Sequence, residues 1–530
     1  MNLRDYTFLG TTQGLCPQCV EQARPKNRNG RVHTNGFDRT PQVRLITAKI
    51  INRNGRVYFR KHCPTHGEWE DFVCSDVAAF DRNEFLTPGK VPAAMGVEPK
   101  LGCPFDCGLC TEHEQHTCLG VVEITSACNL ECPMCYAASG PGGAHLSYDD
   151  CCRAIDTLVL AEGRPEVLQL SGGEPTIHPQ FLDVFRYACN QPIDIVMINT
   201  NGIRLARDPA LVEALAEWKH RSEIYLQFDS FSDTAYRDLR GESLVDTKLQ
   251  AIEALGEAGL RTILVCTVQA RVNDHELGDI VRFAQERPWI TGVSFQPASY
   301  VGRTVLPDEL EQRITFPDVI RGIAEQCGEV WRESDFTPLP CAHPNAHSLA
   351  YAYRAGGTVV PLARFIDVTE HLDLLSGAIT FTRARARELV GQLMSRQCCK
   401  DGGCGGSELV DLMGASGKPV IALSSARPDP KLSVVAEDFF GRILAEDVAP
   451  SDVFRITTTS FMDAYNFDVR QAMKDCVHFV LPSGHIIPFS AYNLFYRDGL
   501  VPLPELRKAF VTAKTEGGAK ERTLISANYR

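Results

Sequence analysis

The 530-residue sequence contains no run of the roughly 20 uninterrupted apolar residues that a membrane-spanning helix needs. Its opening, MNLRDYTFLGTTQGLCPQC, has no apolar leader core, so secretion is not expected. No Lys/Arg run is present to track a phosphate backbone, and 54 basic against 66 acidic side chains give a formal net charge of −12, so nucleic-acid binding is not expected. These absences point to a cytoplasmic protein, one that would meet a lipid substrate only by peripheral membrane contact. With 44% hydrophobic and 23% charged residues the composition is that of a globular chain, and its length implies about three domains.

Cysteine is abundant. The 21 cysteines are bunched in short clusters, a pattern that reads as metal sites and not as disulfides in a chain without a secretion signal. In residues 1–80, Cys16-Pro-Gln-Cys19 and Cys63-Pro-Thr-His66 are two knuckles bracketing KIINRNGRVYFRKH, whose alternation around Asn54-Gly55 predicts a hairpin. A ribbon carrying Cys16, Cys19, Cys63 and His66 would hold a single zinc or iron ion, with Cys74 as a competing fourth ligand. Residues 81–120 carry Cys103, Cys107 and Cys110 at C-x3-C-x2-C, then Cys118. Four nearby thiolates can close an auxiliary [4Fe–4S] cluster, zinc being the structural alternative.

A second C-x3-C-x2-C run, Cys128, Cys132 and Cys135, has no fourth cysteine beside it. Three thiolates leave one iron of a [4Fe–4S] cluster with an open position, which binds and reduces a cofactor. Between 121 and 305, six strand-like runs (GVVEIT, EVLQLS, IDIVMINT, SEIYLQFDS, RTILVCTVQ and ITGVSFQP) alternate with helical stretches. The expected fold is therefore α/β: a partial (β/α)6 TIM-like barrel with its site at the C-terminal strand ends. Gly172-Gly173-Glu174-Pro175 caps the second strand. The glycines allow close backbone approach, and Glu174 is a candidate partner for a methionyl ammonium, so S-adenosylmethionine is the expected cofactor. Asn201 and Asp229, at the third and fourth strand ends, are further candidates for holding it.

Beyond 305 the pattern is less regular. Cys341, Cys399, Cys404 and Cys476 are candidate ligands of another cluster in an α+β region spanning 306–530, with Cys398 also nearby. His343, His347 and His478 read as hydrogen-bonded groups or ligands. Asp463, Tyr465, Asn466 and Asp468 form a polar group without an assigned role, and no catalytic residue is singled out.

Cys128, Cys132 and Cys135 with Gly172-Gly173-Glu174-Pro175 resemble the radical S-adenosylmethionine superfamily, although Met134 stands where an aromatic is common and Tyr136 follows the last cysteine. CPQC, KHCPTHG, CPFDCGLCTEHEQHTC, PCAHPNAH, TTTSFMDAYNFDVRQAMKDCVHF and PSGHIIPFSAYN together resemble the tetraether lipid synthase family, whose relatives include dihydropterin methyltransferases. The resemblance implies an N-terminal zinc-ribbon or rubredoxin-like unit, a radical cluster, one or two auxiliary [4Fe–4S] clusters and an electron donor such as ferredoxin or flavodoxin. It also implies hydrogen abstraction from an unactivated carbon with C–C coupling of lipid chains. Ser490 stands where the family usually has cysteine. The alternatives are a radical methyltransferase acting on a pterin or similar heterocycle, and a non-catalytic zinc-binding scaffold.

Overall fold

The computed structural model describes residues 5–24, 43–375, 383–400 and 430–508. Near the N-terminus, β1 (Thr7–Gly14), β2 (Ile46–Arg53), β3 (Arg56–Cys63) and β4 (Gly67–Cys74) form an antiparallel sheet in sequence order. Asn54 and Gly55, at φ 52° and 82°, make the β2–β3 turn. Two left-handed residues in succession match the twist of a two-residue hairpin, which is why Asn-Gly specifies it.

Residues Leu119 to Pro297 build the core of the molecule. Strands β5 (Leu119–Thr125), β6 (Val167–Gly172), β7 (Ile195–Thr200), β8 (Ser222–Gln227), β9 (Thr262–Val268) and β10 (Ile290–Pro297) pair in parallel in sequence order. Intervening helices, including Tyr148–Glu162, Asp233–Arg240, Val245–Glu257 and Leu277–Gln285, cover the outer face. Alternate residues such as Val122, Ile124, Leu168, Leu170, Ile198, Leu226 and Leu264 are fully buried under them. At about 1.5–3 kcal/mol for each fully buried aliphatic side chain, this layer is the main apolar drive for the fold.

The sheet continues past 305. β11 (Thr337–Pro338), β12 (His347–Ala355), β13 (Thr358–Pro361) and β14 (Val453–Thr459) lie beyond β10, with β14 parallel to β10 and β12 antiparallel to β14. At the opposite edge, β15 (Val477–Val480) runs parallel to β5 and pairs with β16 (Ile486–Pro488). The C-terminal region is thus stitched onto both edges of the barrel sheet, bringing cysteines distant in sequence to one end of β5.

The ribbon is fastened to the rest by buried polar contacts. Lys61 pairs with Asp71 at 2.6 Å and donates to the Tyr465 carbonyl at 2.9 Å; Thr12 donates to Asp468 at 2.6 Å. Asp463 accepts from Arg313 at 2.6 Å and from the Tyr300 N–H at 3.1 Å, so the FMDAYNFD segment joins the ribbon to the barrel top. No described helix is long and apolar enough to cross a membrane.

Candidate active site and metal centres

Cys128, Cys132 and Cys135 lie on the loop leaving β5. Each of these thiols is within electrostatic reach of another, and burial pushes Cys128 up to about 12. Three thiols this close, one of them buried, give up their protons most readily to a positive partner, and clustered iron meets that need. The loop is held from below by the Gly-Gly-Glu turn: the Gly173 N–H donates to Thr125 O at 2.8 Å and the Glu174 N–H to Ala127 O at 2.9 Å. A Cβ on Gly172, where φ is 130°, would stand 2.0 Å from Thr125 O, and one on Gly173 would stand 2.2 Å from Ala127 O. Only glycine admits this approach.

The Glu174 carboxylate is 1% exposed and accepts four hydrogen bonds. They come from the Thr176 N–H at 3.0 Å and the Thr176 and Thr200 hydroxyls at 2.6 and 2.8 Å, all on Oε1, and from the Asn201 N–H at 2.7 Å on Oε2. A carboxylate offers about four acceptor positions, so Glu174 is already saturated by strand-end donors. These donors hold the Glu174 side chain beneath the loop. Asn201 donates from Nδ2 to Asn129 Oδ1 at 2.7 Å, tying the β7 end to the cluster loop. Asp229, the other strand-end candidate for holding the cofactor, is fully buried and doubly paired with Arg240, both bonds at 2.8 Å; it also accepts from the Thr267 N–H at 3.0 Å and from Gln227. Arg240 in turn hydrogen-bonds Cys132.

Two residues that carried no sequence signal complete the loop's support. Arg303 donates to Cys132 O, Ala138 O and Ser139 O at 2.9, 3.0 and 2.5 Å, and its backbone bridges that of Cys135 in both directions at 3.0 Å. An isolated Gly-Arg pair resembles any turn, so only the folded chain reveals this clamp. Lys248, fully buried, donates to Gln227 Oε1 at 2.7 Å and to the Asn201 carbonyl. Burial lowers it to about 7.

The concave face carries polar side chains near the loop, above an apolar layer of Val167, Met197 and Ile263. Tyr225 Oη of β8 donates to Ser294 Oγ of β10 at 2.7 Å and accepts from Gln296 Nε2 at 3.1 Å, spanning β9 across the inside of the curve. Asn199 donates to Ser171 at 3.1 Å, and Arg497 makes two 2.9 Å bonds to Glu123 while lying against the Tyr136 ring. At the ends of β9 and β10 a cavity of about 210 Å³ is lined by Gln269, Arg271, Ala298, Tyr300, Asp308 and Gln312; Ala298 also packs on Met134.

In the ribbon, His66 Nδ1 lies 3.3, 3.4 and 3.6 Å from the sulfurs of Cys16, Cys19 and Cys63, and all four ligand atoms fall within 4.8 Å of one another. This is a compact tetrahedral donor set for one ion. Cys74 lies elsewhere, in the apolar core with Phe59 and Phe80, its thiol donating to Asp76 O at 3.4 Å.

Cys107 lies beside Cys103 and within electrostatic reach of Cys110, with the Tyr496 hydroxyl accepting from the Cys107 N–H at 3.1 Å. Cys118, expected as the fourth member of that set, instead packs with Cys341 and Cys476. The strand β5 begins immediately after Cys118, and β15, which follows Cys476, pairs beside it, so sheet register overrides sequence proximity. The side chain of Cys399 and all of Cys404 lie outside the described residues. His343 is buried and accepts from the Asn345 N–H; His347 hydrogen-bonds Cys476; His478 meets Thr117 at 2.9 Å and His113 at 3.1 Å. Ser490 is 2% exposed and accepts from the Met462 N–H at 3.0 Å.

A parallel barrel with an open three-cysteine loop at its strand ends defines a radical S-adenosylmethionine enzyme. In agreement, the profile of the Radical SAM superfamily matches residues 122–284 and that of the HMPTM N-terminal zinc ribbon domain matches residues 8–75. The 7,8-dihydro-6-hydroxymethylpterin dimethyltransferase of Methanocaldococcus jannaschii is 32% identical over 504 residues, 88% of this chain and 95% of that protein, and the chain belongs to its family. A GTP 3′,8-cyclase of Cronobacter sakazakii is 29% identical over 176 residues, covering 32% of this chain and 51% of its own length. Among solved structures, Streptococcus suis SuiB bound to precursor peptide SuiA aligns at 18% identity and a TM-score of 0.35, over 41% of this chain and 46% of that one.

Proposed function

We propose that the chain is a radical methyltransferase acting on a pterin or a similar flat, polar heterocycle, with Cys128, Cys132 and Cys135 holding the cluster and the Gly172-Gly173 backbone facing the methionyl end of S-adenosylmethionine. The bound cofactor supplies a radical able to take hydrogen from carbon. The residues orient: Arg303, Asn201 and the Gly-Gly-Glu turn fix the loop, while the Asp229–Arg240 pair steadies Cys132.

The observation that carries the substrate class is the amide- and hydroxyl-rich concave face of Ser171, Asn199, Tyr225, Ser294 and Gln296, whose hydrogen-bonded groups suit the donor and acceptor edges of a heterocycle better than a hydrocarbon chain. The family relative that acts on a dihydropterin supports the same reading. Coupling of lipid chains asks for an apolar groove at the cluster end. The large apolar cavity, about 360 Å³ and walled by Leu349, Leu389, Val390 and Phe439, instead reaches Ile195, Glu223 and Thr291 at the opposite strand ends.

The test is anaerobic reconstitution followed by reaction with dithionite, S-adenosylmethionine and 6-hydroxymethyl-7,8-dihydropterin. A methylated pterin is expected by mass spectrometry. Formation of 5′-deoxyadenosine with pterin untouched, but with diether lipids converted, would replace this reading with chain coupling.

A further inference from the structure

The carboxylates near the cysteine loop differ in how many of their acceptor positions are already taken. Glu174 accepts four hydrogen bonds, and Asp229 accepts four as well, which fills the roughly four positions a carboxylate offers. Glu123 accepts two, one on each oxygen, both from Arg497 at 2.9 Å. Each oxygen therefore keeps a lone pair, and the side chain is 18% exposed.

Glu123 faces the concave side of β5. Its neighbours Val122 and Ile124 are fully buried under the helices, and strand alternation turns the residue between them the other way. In the sheet register it lies beside Ser171, whose hydroxyl meets both the Tyr136 hydroxyl and the Asn199 amide. Two residues further along β5, Thr125 O receives the Gly173 N–H at 2.8 Å. Glu123 thus stands one inward-facing position below the turn that supports the cysteine loop. Arg497 is fixed from behind: its Nε donates to Asn493 Oδ1 at 2.7 Å, and its guanidinium carbon lies 5.8, 5.2 and 4.8 Å from the ring centres of Tyr136, Phe479 and Tyr492. Beside the pair is an aromatic wall, in which Phe489 stacks on Phe461 at 3.9 Å and lies 5.2 Å from Tyr136.

We propose that Glu123 is the residue that selects the substrate ring, accepting hydrogen bonds from its amino-substituted edge while Tyr136 and Phe461, both partly exposed, meet its flat face. The proposal rests on the pterin reading and names the group that would recognise the 2-amino-4-oxopyrimidine part of that ring. A carboxylate with open lone pairs favours a ring that presents N–H donors. It disfavours one that presents a carbonyl at the same place, because two acceptors then face each other. Arg497 is a positioning residue, supplying the counter-charge and holding the carboxylate in the plane of the fork.

The test uses the full-length, anaerobically reconstituted enzyme with S-adenosylmethionine, and two ligands: 6-hydroxymethyl-7,8-dihydropterin and its counterpart with a carbonyl in place of the 2-amino group. Kd from ligand fluorescence and kcat/KM from product mass spectrometry are measured for both. The parent should prefer the amino compound by about 10- to 100-fold, the size of a hydrogen bond to a charged group. In Glu123→Gln that preference should narrow to within about threefold, and Glu123→Asp should restore part of it. The circular dichroism spectrum and the EPR signal of the Cys128 cluster report whether each variant is folded and loaded. The proposal is overturned if the parent shows no preference, a result that needs no variant, or if Glu123→Gln weakens both ligands equally, as a purely structural role would. A parent that neither binds nor methylates either compound refutes the pterin reading itself, and the assignment of Glu123 falls with it.

Discussion

Replacing Asp229 with alanine leaves the Arg240 guanidinium buried beside Cys132 without its counter-ion. The native pair is bidentate, with both bonds at 2.8 Å, and the two side chains are 0% and 12% exposed. Removing one member of such a pair costs about 3–5 kcal/mol, because the surviving charge keeps its desolvation penalty and loses its partner. The Thr267 N–H and the Gln227 amide also lose an acceptor, placing Asp229→Ala toward the upper end of that range. For a barrel of this size each kilocalorie moves the thermal midpoint by about 2–4 °C, so calorimetry of the metal-free chain should record a drop of about 6–20 °C. Asp229→Ala/Arg240→Ala should recover part of the loss, and the double-mutant cycle should return coupling well above the roughly 0.5 kcal/mol seen for independent sites. A midpoint within about 2 °C of the parent, or strictly additive effects, would refute the argument that this carboxylate exists to hold the arginine.

Two other outcomes follow from the same neighbourhood. Because burial lowers Lys248 to about 7 from 10.5, the unfolded chain binds more protons than the folded one above neutrality. The lysine therefore opposes folding near neutral pH and does so progressively less as pH rises toward 10. The slope it adds is at most about 1.4 kcal/mol per pH unit, and comparing the pH dependence of urea unfolding for Lys248→Met and the parent should show that slope missing in the variant. Gly173→Ala would place a Cβ 2.2 Å from Ala127 O. Forcing the loop away should cost about 1–3 kcal/mol and deplete iron at Cys128, Cys132 and Cys135 selectively, as the EPR signal of that cluster would report; undiminished signal would mean that the loop is not held by this contact.

The strands of the barrel were readable because each apolar run is fully buried on its helix side and bounded by turns; ITGVSFQP is the observed β10. The ribbon was readable for a similar reason, since two knuckles and an Asn-Gly turn are local chemistry. The helix Asp233–Arg240 escaped notice. Half of its eight residues are charged, and the three it buries, Ala235, Tyr236 and Leu239, are too few to stand out as a stripe. Glu174 and Asp229 lie at strand ends next to the cysteine loop, but a carboxylate there has no way of announcing whether its acceptors are already taken.

Sequence by itself determined the superfamily chemistry, because C-x3-C-x2-C and Gly-Gly-Glu-Pro are short spacings enforced by covalent geometry. Tertiary structure alone decided how the remaining thiols are shared. Cys118 is 8 residues from Cys110 and more than 200 from Cys341, yet β15 pairing against β5 carries Cys476 to its side, and the segment between β11 and β12 brings Cys341 against both. Strand pairing is a long-range event settled by burial and register, and spacing along the chain holds no record of it.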